Sequence, residues 1–60
     1  MKTSELLKLF KENGIEFEEH RTRHDYYHSP ITNKSFPVAR HKEDIPVGTL
    51  DKILKDAGLK

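Results

Sequence analysis

The stretch HRTRHDYYHSP, residues 20–30, decides the fold, because its histidines recur every four residues, at positions 20, 24 and 28. On a helix such residues line one face and can share a metal ion. In a strand, residues four apart also share a face, but they lie about 13 Å from each other at about 3.3 Å per residue. Zinc–histidine bonds are only about 2.0–2.1 Å long, so a strand cannot bring two of these histidines to one ion.

The residues between the histidines favour the strand. Tyr26 and Tyr27 suit a pleated surface, and Ser29-Pro30 marks a turn. The sequence therefore predicts a strand over residues 23–29, preceded by a turn near residues 20–22. A metal-binding or structural helix over residues 20–28 stays open as an alternative, which predicts zinc-dependent folding.

A helix and a strand are predicted before this stretch. The first helix is expected over about residues 4–13, with Thr3 or Ser4 as its N-cap and Asn13-Gly14 as its stop. Its apolar residues at helical spacing are Leu6, Leu7 and Phe10. Apolar residues then alternate with glutamates over residues 15–18, as is typical of a strand with one face on a core.

Four segments are predicted after the stretch at residues 20–30: a turn over residues 30–34, a strand over 35–39, a loop over 40–48 and a last helix. Pro37 has no N–H, so the third strand is expected at a sheet edge, or with residue 37 facing away from its neighbour. The last helix is expected to have Thr49 as its cap. Its apolar positions and its terminating glycine are Leu50, Ile53, Leu54, Ala57 and Gly58.

This order predicts an α+β fold, α-β-β-β-α, with both helices on one face of a three-stranded antiparallel sheet, because each helix has an apolar stripe to bury. The other face of the sheet stays open to solvent or to a partner. Alternation places Tyr27 on the helix side and His24, Tyr26 and His28 on the open side. Tyr26 is either a cross-strand packing partner or a platform for a stacked base. Ile15 and Phe17 of the first strand are expected to lie on the helix side of the sheet, together with Tyr27.

Composition limits the class of protein. A chain of 60 residues is expected to form one domain, 1–60, with a thin stability margin, because it buries only about 60% of its unfolded surface. It has no cysteine, which excludes disulfides and thiolate metal sites. No apolar run approaches the roughly 18 residues of a membrane span, and the start is too polar for a secretory signal. We expect a soluble cytoplasmic protein.

Charge is concentrated in the middle of the chain. Residues 1–19 carry a net charge of −2, residues 43–60 carry −1, and residues 20–42 carry +4 together with all four histidines. A basic segment between two acidic ones is typical of a surface that faces phosphate, although chance clustering gives the same pattern.

Several segments resemble the HicA family of bacterial toxin proteins: MKTSELLKLFKENG at residues 1–14, HDYY at 24–27, FPVARH at 36–41 and, most specifically, DIPVGTLDKILKDAGLK at 44–60. The resemblance covers nearly the whole chain. It implies a fold like a double-stranded RNA-binding domain, in agreement with the order reached from the residues. It also implies ribonuclease activity on messenger RNA, held in check by a HicB antitoxin.

The resemblance implies a functional histidine at the start of the second strand, after a Gly-Ser/Thr-His type motif, and the matching position is His24. Arg21, Thr22 and Arg23 precede it, so the glycine of the motif is absent and Thr22 retains the hydroxyl. Ala39 stands where the family often has proline.

RNA carries its own nucleophile, the 2′-hydroxyl, so no metal or cofactor is expected. His24 is the expected catalytic acid or base, since imidazole titrates near neutrality. The expected RNA and phosphate contacts are Arg21, Thr22, Arg23, Tyr26, His28, Lys34 and Arg40. His20 and His41 are expected to be ordinary surface histidines. A non-catalytic RNA-binding module of the same fold is the alternative. The antitoxin is expected to cover His24.

Overall fold

The computed structural model describes residues 1–39 and 44–60. Its elements are α1 Thr3–Glu12, β1 Glu16–His20, β2 His24–Ser29, β3 Lys34–Ala39 and α2 Val47–Ala57. The strands form one antiparallel sheet in the order β1-β2-β3. This confirms the predicted α+β fold of the double-stranded RNA-binding-domain type. The predicted loop over 40–48 includes residues 40–43, which lie outside the described residues, and its last two residues belong to α2.

The stretch that decides the fold is extended from His24 to Ser29. It forms the central strand of the sheet, so that Tyr27 lies opposite Phe17 of β1 and Phe36 of β3. The prediction of a strand here is confirmed, and the alternative of a helix over residues 20–28 is wrong. This strand is paired on both sides. Its adjacent tyrosines pack well on a pleated surface, which favours a strand over a helix.

Both helices pack on one face of the sheet. Phe10 of α1 is fully buried, with its ring centroid 5.4 Å from that of Tyr27 and 5.5 Å from that of Phe36. Burial of a large aromatic residue contributes about 1.5–3 kcal/mol. The buried apolar residues form one cluster, which leaves the opposite face of the sheet uncovered: Leu6, Phe10, Ile15, Phe36, Val38, Ile45, Ile53 and Ala57.

A buried hydroxyl joins the end of β2 to the end of α2. Ser29 is fully buried, and its Oγ donates a 2.6 Å hydrogen bond to the carbonyl oxygen of Ala57. The same Oγ accepts a bond of 3.2 Å from the N–H of Ile31. In the following turn, the Thr32 hydroxyl donates to the carbonyl of Asp56 at 2.6 Å. Side chains thus satisfy carbonyls that the helix end cannot pair.

The predicted N-caps of both helices are wrong, whereas the predicted ends at Asn13 and Gly58 are confirmed. The N-cap of α1 is Lys2, whose backbone N–H donates a 3.2 Å hydrogen bond to the carboxylate of Glu5. Helix α2 begins two residues before Thr49, with Pro46 as its N-cap and the Pro46 carbonyl accepting from the N–H of Leu50 at 2.8 Å. Proline preorganises the chain just before the first helical turn, so the hydroxyl of Thr49 is not needed there.

Phe17 departs from the prediction in burial. Its position opposite Tyr27 places it on the helix side, but it is 54% exposed. β1 is an edge strand, and Phe17 packs on the ring of Tyr27 with centroids 5.8 Å apart. The helices therefore cover the middle of the sheet and leave the ring of Phe17 at its rim.

Candidate nucleic-acid interface

Three side chains of β2 lie on the open face of the sheet, as the alternation of residues along the strand predicted. Asp25 and Tyr27 lie opposite the buried residues Val38 and Phe36, and they therefore face the helices. The residues that alternate with them along β2 face the open side of the sheet: His24, Tyr26 and His28. His24 is exposed and is the first residue of its strand.

The backbone around His24 is held by the preceding loop. The N–H of Arg21 donates a hydrogen bond of 2.9 Å to the His24 carbonyl oxygen. Within residues 1–39 and 44–60, positive φ angles occur only at Gly14, Asn33 and Gly58. The loop over residues 21–23 therefore adopts ordinary backbone torsions, and its shape does not require a glycine before the histidine.

His24 also lines a groove along the free edge of β3. The groove has a volume of about 690 Å³ and lies between this strand and α2. Its apolar side includes Ile45 and Ile53, and Thr49 and Lys52 contribute polar groups. His24 is thus one of the residues that a ligand in the groove would contact.

Arg21 lies over Tyr26 on the open face. The guanidinium carbon is 4.5 Å from the centroid of the ring, and Arg21 Nε donates a 2.8 Å hydrogen bond to Glu19 Oε1. This bond, together with the positive charge of Arg21, holds the pKa of Glu19 below its ordinary value. The hydrogen bond with Glu19 and the negative charge of Glu19 in turn raise the pKa of Arg21. Glu19 therefore stays ionised at neutral pH. The side chains of Glu19, Arg21 and Tyr26 form one cluster of contacts.

An irregularity in β1 places two successive glutamates on the open face. The register between β1 and β2 shifts between Phe17 and Glu19, so Glu19 lies opposite Tyr26. Glu18 reaches the same face, where its Oε2 accepts a 2.8 Å hydrogen bond from Ser35 Oγ. Strict alternation predicts one glutamate on each face, and the sequence has no signal that reveals the shift.

His28 belongs to a second cluster on this face. Its Nδ1 lies 3.2 Å from Ser35 Oγ and 3.6 Å from Glu18 Oε2. When protonated, the imidazole makes an ion pair with this carboxylate. His28, which is predicted to contact phosphate, therefore lies next to the carboxylate of Glu18, and this carboxylate repels phosphate.

His20 lies at the other end of β1 and forms a different pair. Its Nδ1 is 2.9 Å from Asp25 Oδ1, and Asp25 faces the helix side opposite Val38. The charge of Asp25 adds to burial in raising the pKa of Tyr27, and burial is the larger cause. His20 and Asp25 are thus separated by the sheet from the side chain of His24.

The remaining predicted contacts divide into three groups. Thr22 and Arg23 are exposed in the loop next to His24. Lys34 lies opposite the buried Ser29, at the far end of β2 from His24 and on the helix side, so it does not join the other residues. Arg40 lies outside the described residues, as does His41.

Residues 1–39 and 44–60 contain neither a metal-binding cluster nor a membrane-spanning helix. No group of three or more His, Asp or Glu side chains is placed so that it can hold a metal ion. No helix is long and apolar enough to cross a membrane.

The fold defines a class: small α+β domains with both helices on one side of a three-stranded sheet and the other side open, as in double-stranded RNA-binding domains. Residues 3–59 match the family model described as the HicA toxin of bacterial toxin–antitoxin systems. The chain therefore belongs to the HicA toxin family, whose members act opposite an antitoxin partner. Comparisons with curated proteins and with solved structures give no match.

Proposed function

We propose that this protein is a metal-independent endoribonuclease that cleaves messenger RNA in the cytoplasm and so acts as the toxin of its system. Its membership of the HicA toxin family supports the toxin role. The observation that carries the enzymatic part is the position of His24, which is exposed, begins the central strand and lines the groove beside β3. The single domain over residues 1–60 is the unit that we propose to act.

The proposed reaction needs one well-placed imidazole. His24 accepts the proton of the ribose 2′-hydroxyl, and the 2′-oxygen forms a bond to phosphorus while the bond from phosphorus to the 5′-oxygen breaks. The leaving 5′-oxygen takes up a proton from the imidazolium or from water. The products are a 2′,3′-cyclic phosphate and a 5′-hydroxyl end. A positioned acid or base of this kind contributes about 10²- to 10⁴-fold in rate.

Cationic groups near His24 are suited to the charge that develops on the phosphate. Arg23 is exposed in the loop next to His24, and Lys52 lines the same groove as His24 from the side of α2. Positive groups that are already in place stabilise the dianionic transition state without reorganisation. Tyr26 offers a ring on which a base of the RNA can stack.

The test uses single-stranded RNA in the presence of EDTA. We expect the wild-type protein to produce fragments with 2′,3′-cyclic phosphate ends and His24→Ala to cleave at least about 100-fold more slowly. The matched control is His20→Ala, which removes an imidazole from the helix side and is expected to retain activity. Circular dichroism verifies that both variants are folded. RNA that is bound but stays intact with the wild type would indicate a non-catalytic RNA-binding module instead.

The antitoxin is proposed to be a HicB-type protein that covers His24. The open face has no covering element in the described structure, and an acidic partner complements the basic loop at residues 21–23. In the complex, diethyl pyrocarbonate is expected to modify His24 much more slowly than in the free toxin. Equal modification rates would contradict inhibition by occlusion.

A further inference from the structure

We propose that Glu19, Arg21 and Tyr26 form a subsite that selects a guanine base of the RNA. This inference rests on the proposed ribonuclease function, because it assigns the base that the substrate presents next to His24. It begins from the cluster on the open face, in which a carboxylate, a guanidinium and an aromatic ring are in contact.

Tyr26 supplies the stacking surface. Its ring faces away from both helices, and Arg21 already holds a flat cationic group over it, with the guanidinium carbon 4.5 Å from the ring centroid. Planar groups that stack on aromatic rings include nucleobases as well as guanidinium groups. The position above this ring is therefore suitable for a base, provided that Arg21 moves aside.

Movement of Arg21 costs little. Its side chain is 61% exposed and that of Glu19 is 45% exposed, so their ion pair is in contact with water. Pairs of this kind contribute little to stability and exchange readily. A base that enters above Tyr26 can therefore replace the guanidinium, and Arg21 then moves to the edge of the base.

The carboxylate of Glu19 determines which base fits. An ionised carboxylate is an acceptor only, with two oxygens side by side. Guanine is the base that presents two adjacent donors, N1–H and the N2 amino group, on its Watson–Crick edge. Adenine, cytosine and uracil each present one donor there, next to an acceptor that the carboxylate repels. Arg21 adds a match to the O6 and N7 acceptors of guanine, the commonest specific contact of arginine with a base.

The subsite lies close to the proposed catalytic group. Tyr26 and His24 are two residues apart on the same face of β2, about 7 Å along the strand. A nucleotide that stacks on Tyr26 therefore has its own phosphate within reach of His24. Selection of a base at this place directs cleavage to the neighbouring bond.

The experiment measures binding without cleavage. Fluorescein-labelled pentamers UUGUU, UUAUU, UUCUU and UUUUU are titrated with the folded His24→Ala protein, and the Kd is read from anisotropy. We expect the guanine pentamer to bind at least about tenfold more tightly than the other three. The pentamer with inosine lacks only the N2 amino group, and it is expected to lose most of this preference.

Glu19→Gln tests the carboxylate in the same His24→Ala background. The amide replaces one of the two acceptors by a donor, so the preference for guanine is expected to disappear. The matched control is Glu16→Gln, which changes a carboxylate of the same strand opposite His28 and is expected to keep the preference. Glu16 is exposed and the side chain of Glu19 is 45% exposed, and circular dichroism checks that each variant is folded.

The outcomes separate this inference from the proposed function. Equal affinity for the four pentamers, no measurable binding, or a guanine preference that persists in Glu19→Gln overturns the subsite. Failure of the wild type to cleave RNA while the guanine preference holds overturns the ribonuclease and leaves the subsite standing. Cleavage by the wild type at all four bases, with equal pentamer affinities, overturns the subsite alone.

Discussion

The backbone N–H of Arg21 donates a 2.9 Å hydrogen bond to the carbonyl oxygen of His24. This bond closes the loop between β1 and β2 through backbone atoms, so the loop is held in place whichever side chains it carries. Thr22 and Arg23 are left exposed at its tip, beside the start of β2. The loop can therefore present two arginines before His24 without backbone strain.

Arg23 is predicted to contact phosphate, and salt dependence measures this directly. In Arg23→Gln, the slope of log K against log salt for a single-stranded RNA should become shallower by about 0.7, since each neutralised phosphate releases a counterion. The binding is measured in the His24→Ala background, so that the RNA stays intact. Lys8→Gln, on the exposed side of α1, should leave the slope unchanged. The same slope in Arg23→Gln and in its parent would contradict the contact.

The pKa of Glu19 is predicted to depend on Arg21. The hydrogen bond from Arg21 is the larger cause of the lowered pKa and its charge the smaller, so Arg21→Gln should raise this pKa toward its ordinary value. A group with a lowered folded-state pKa stabilises the fold above its unfolded-state pKa, and this contribution is lost as the pH falls through the lowered value. NMR titration of the Glu19 carboxyl carbon gives the measurement, with Lys8→Gln as the unaffected control.

The fold was predictable from the sequence because its periods are clear. Helical spacing of apolar residues in α1 and α2, alternation in β1 and β3 and the tyrosine pair of β2 are sufficient to place all five elements, within one to three residues of the observed ends. The N-caps were not predictable, since Thr3 and Thr49 are common cap residues, whereas Lys2 and Pro46 are the observed N-caps. A cap depends on how the preceding chain approaches, which local composition does not determine.

The candidate site was predictable only in part. Alternation was sufficient to place His24 and Tyr26 on the open face, because β2 is regular along its whole length. The pairing of Arg21 with Glu19 was not predictable, because it depends on the register shift in β1. A bulge moves every later side chain of its strand to the other face and has no reliable sequence signature here. Lys34 is separated from the other predicted contacts, because it lies opposite Ser29, at the far end of β2 from His24 and on the helix side.

Ser29 is predicted to stabilise the fold through its buried hydroxyl. Ser29→Ala removes the donor to the Ala57 carbonyl and the acceptor for the Ile31 N–H, and it leaves both groups with an unmet hydrogen bond. We expect the free energy of unfolding to fall by about 1–3 kcal/mol. Urea denaturation measures the change. Ser4→Ala, at an exposed position of α1, should alter stability by less than about 0.5 kcal/mol. Equal effects of the two substitutions would contradict a role for the buried bond.

Gly58 and Gly48 are predicted to respond oppositely to alanine. Gly58 ends α2 with a φ of +80°, and a Cβ there would lie 2.6 Å from a methyl carbon of Ile31 and 2.9 Å from that of Thr32. The left-handed conformation alone costs an L residue about 1–2 kcal/mol, and the contact with the turn adds to this, so Gly58→Ala should lower the free energy of unfolding by more than about 1 kcal/mol.

Gly48 lies in the first turn of α2, where a Cβ would meet no atom within 4 Å. Alanine is favoured over glycine inside a helix by about 0.5–1 kcal/mol, so Gly48→Ala should raise the free energy of unfolding by up to this amount. Urea unfolding of both variants under one set of conditions compares two identical chemical changes on the same helix. Stabilisation by Gly58→Ala, or destabilisation by Gly48→Ala, would show that α2 does not begin at Val47 and end against the turn between β2 and β3 as described.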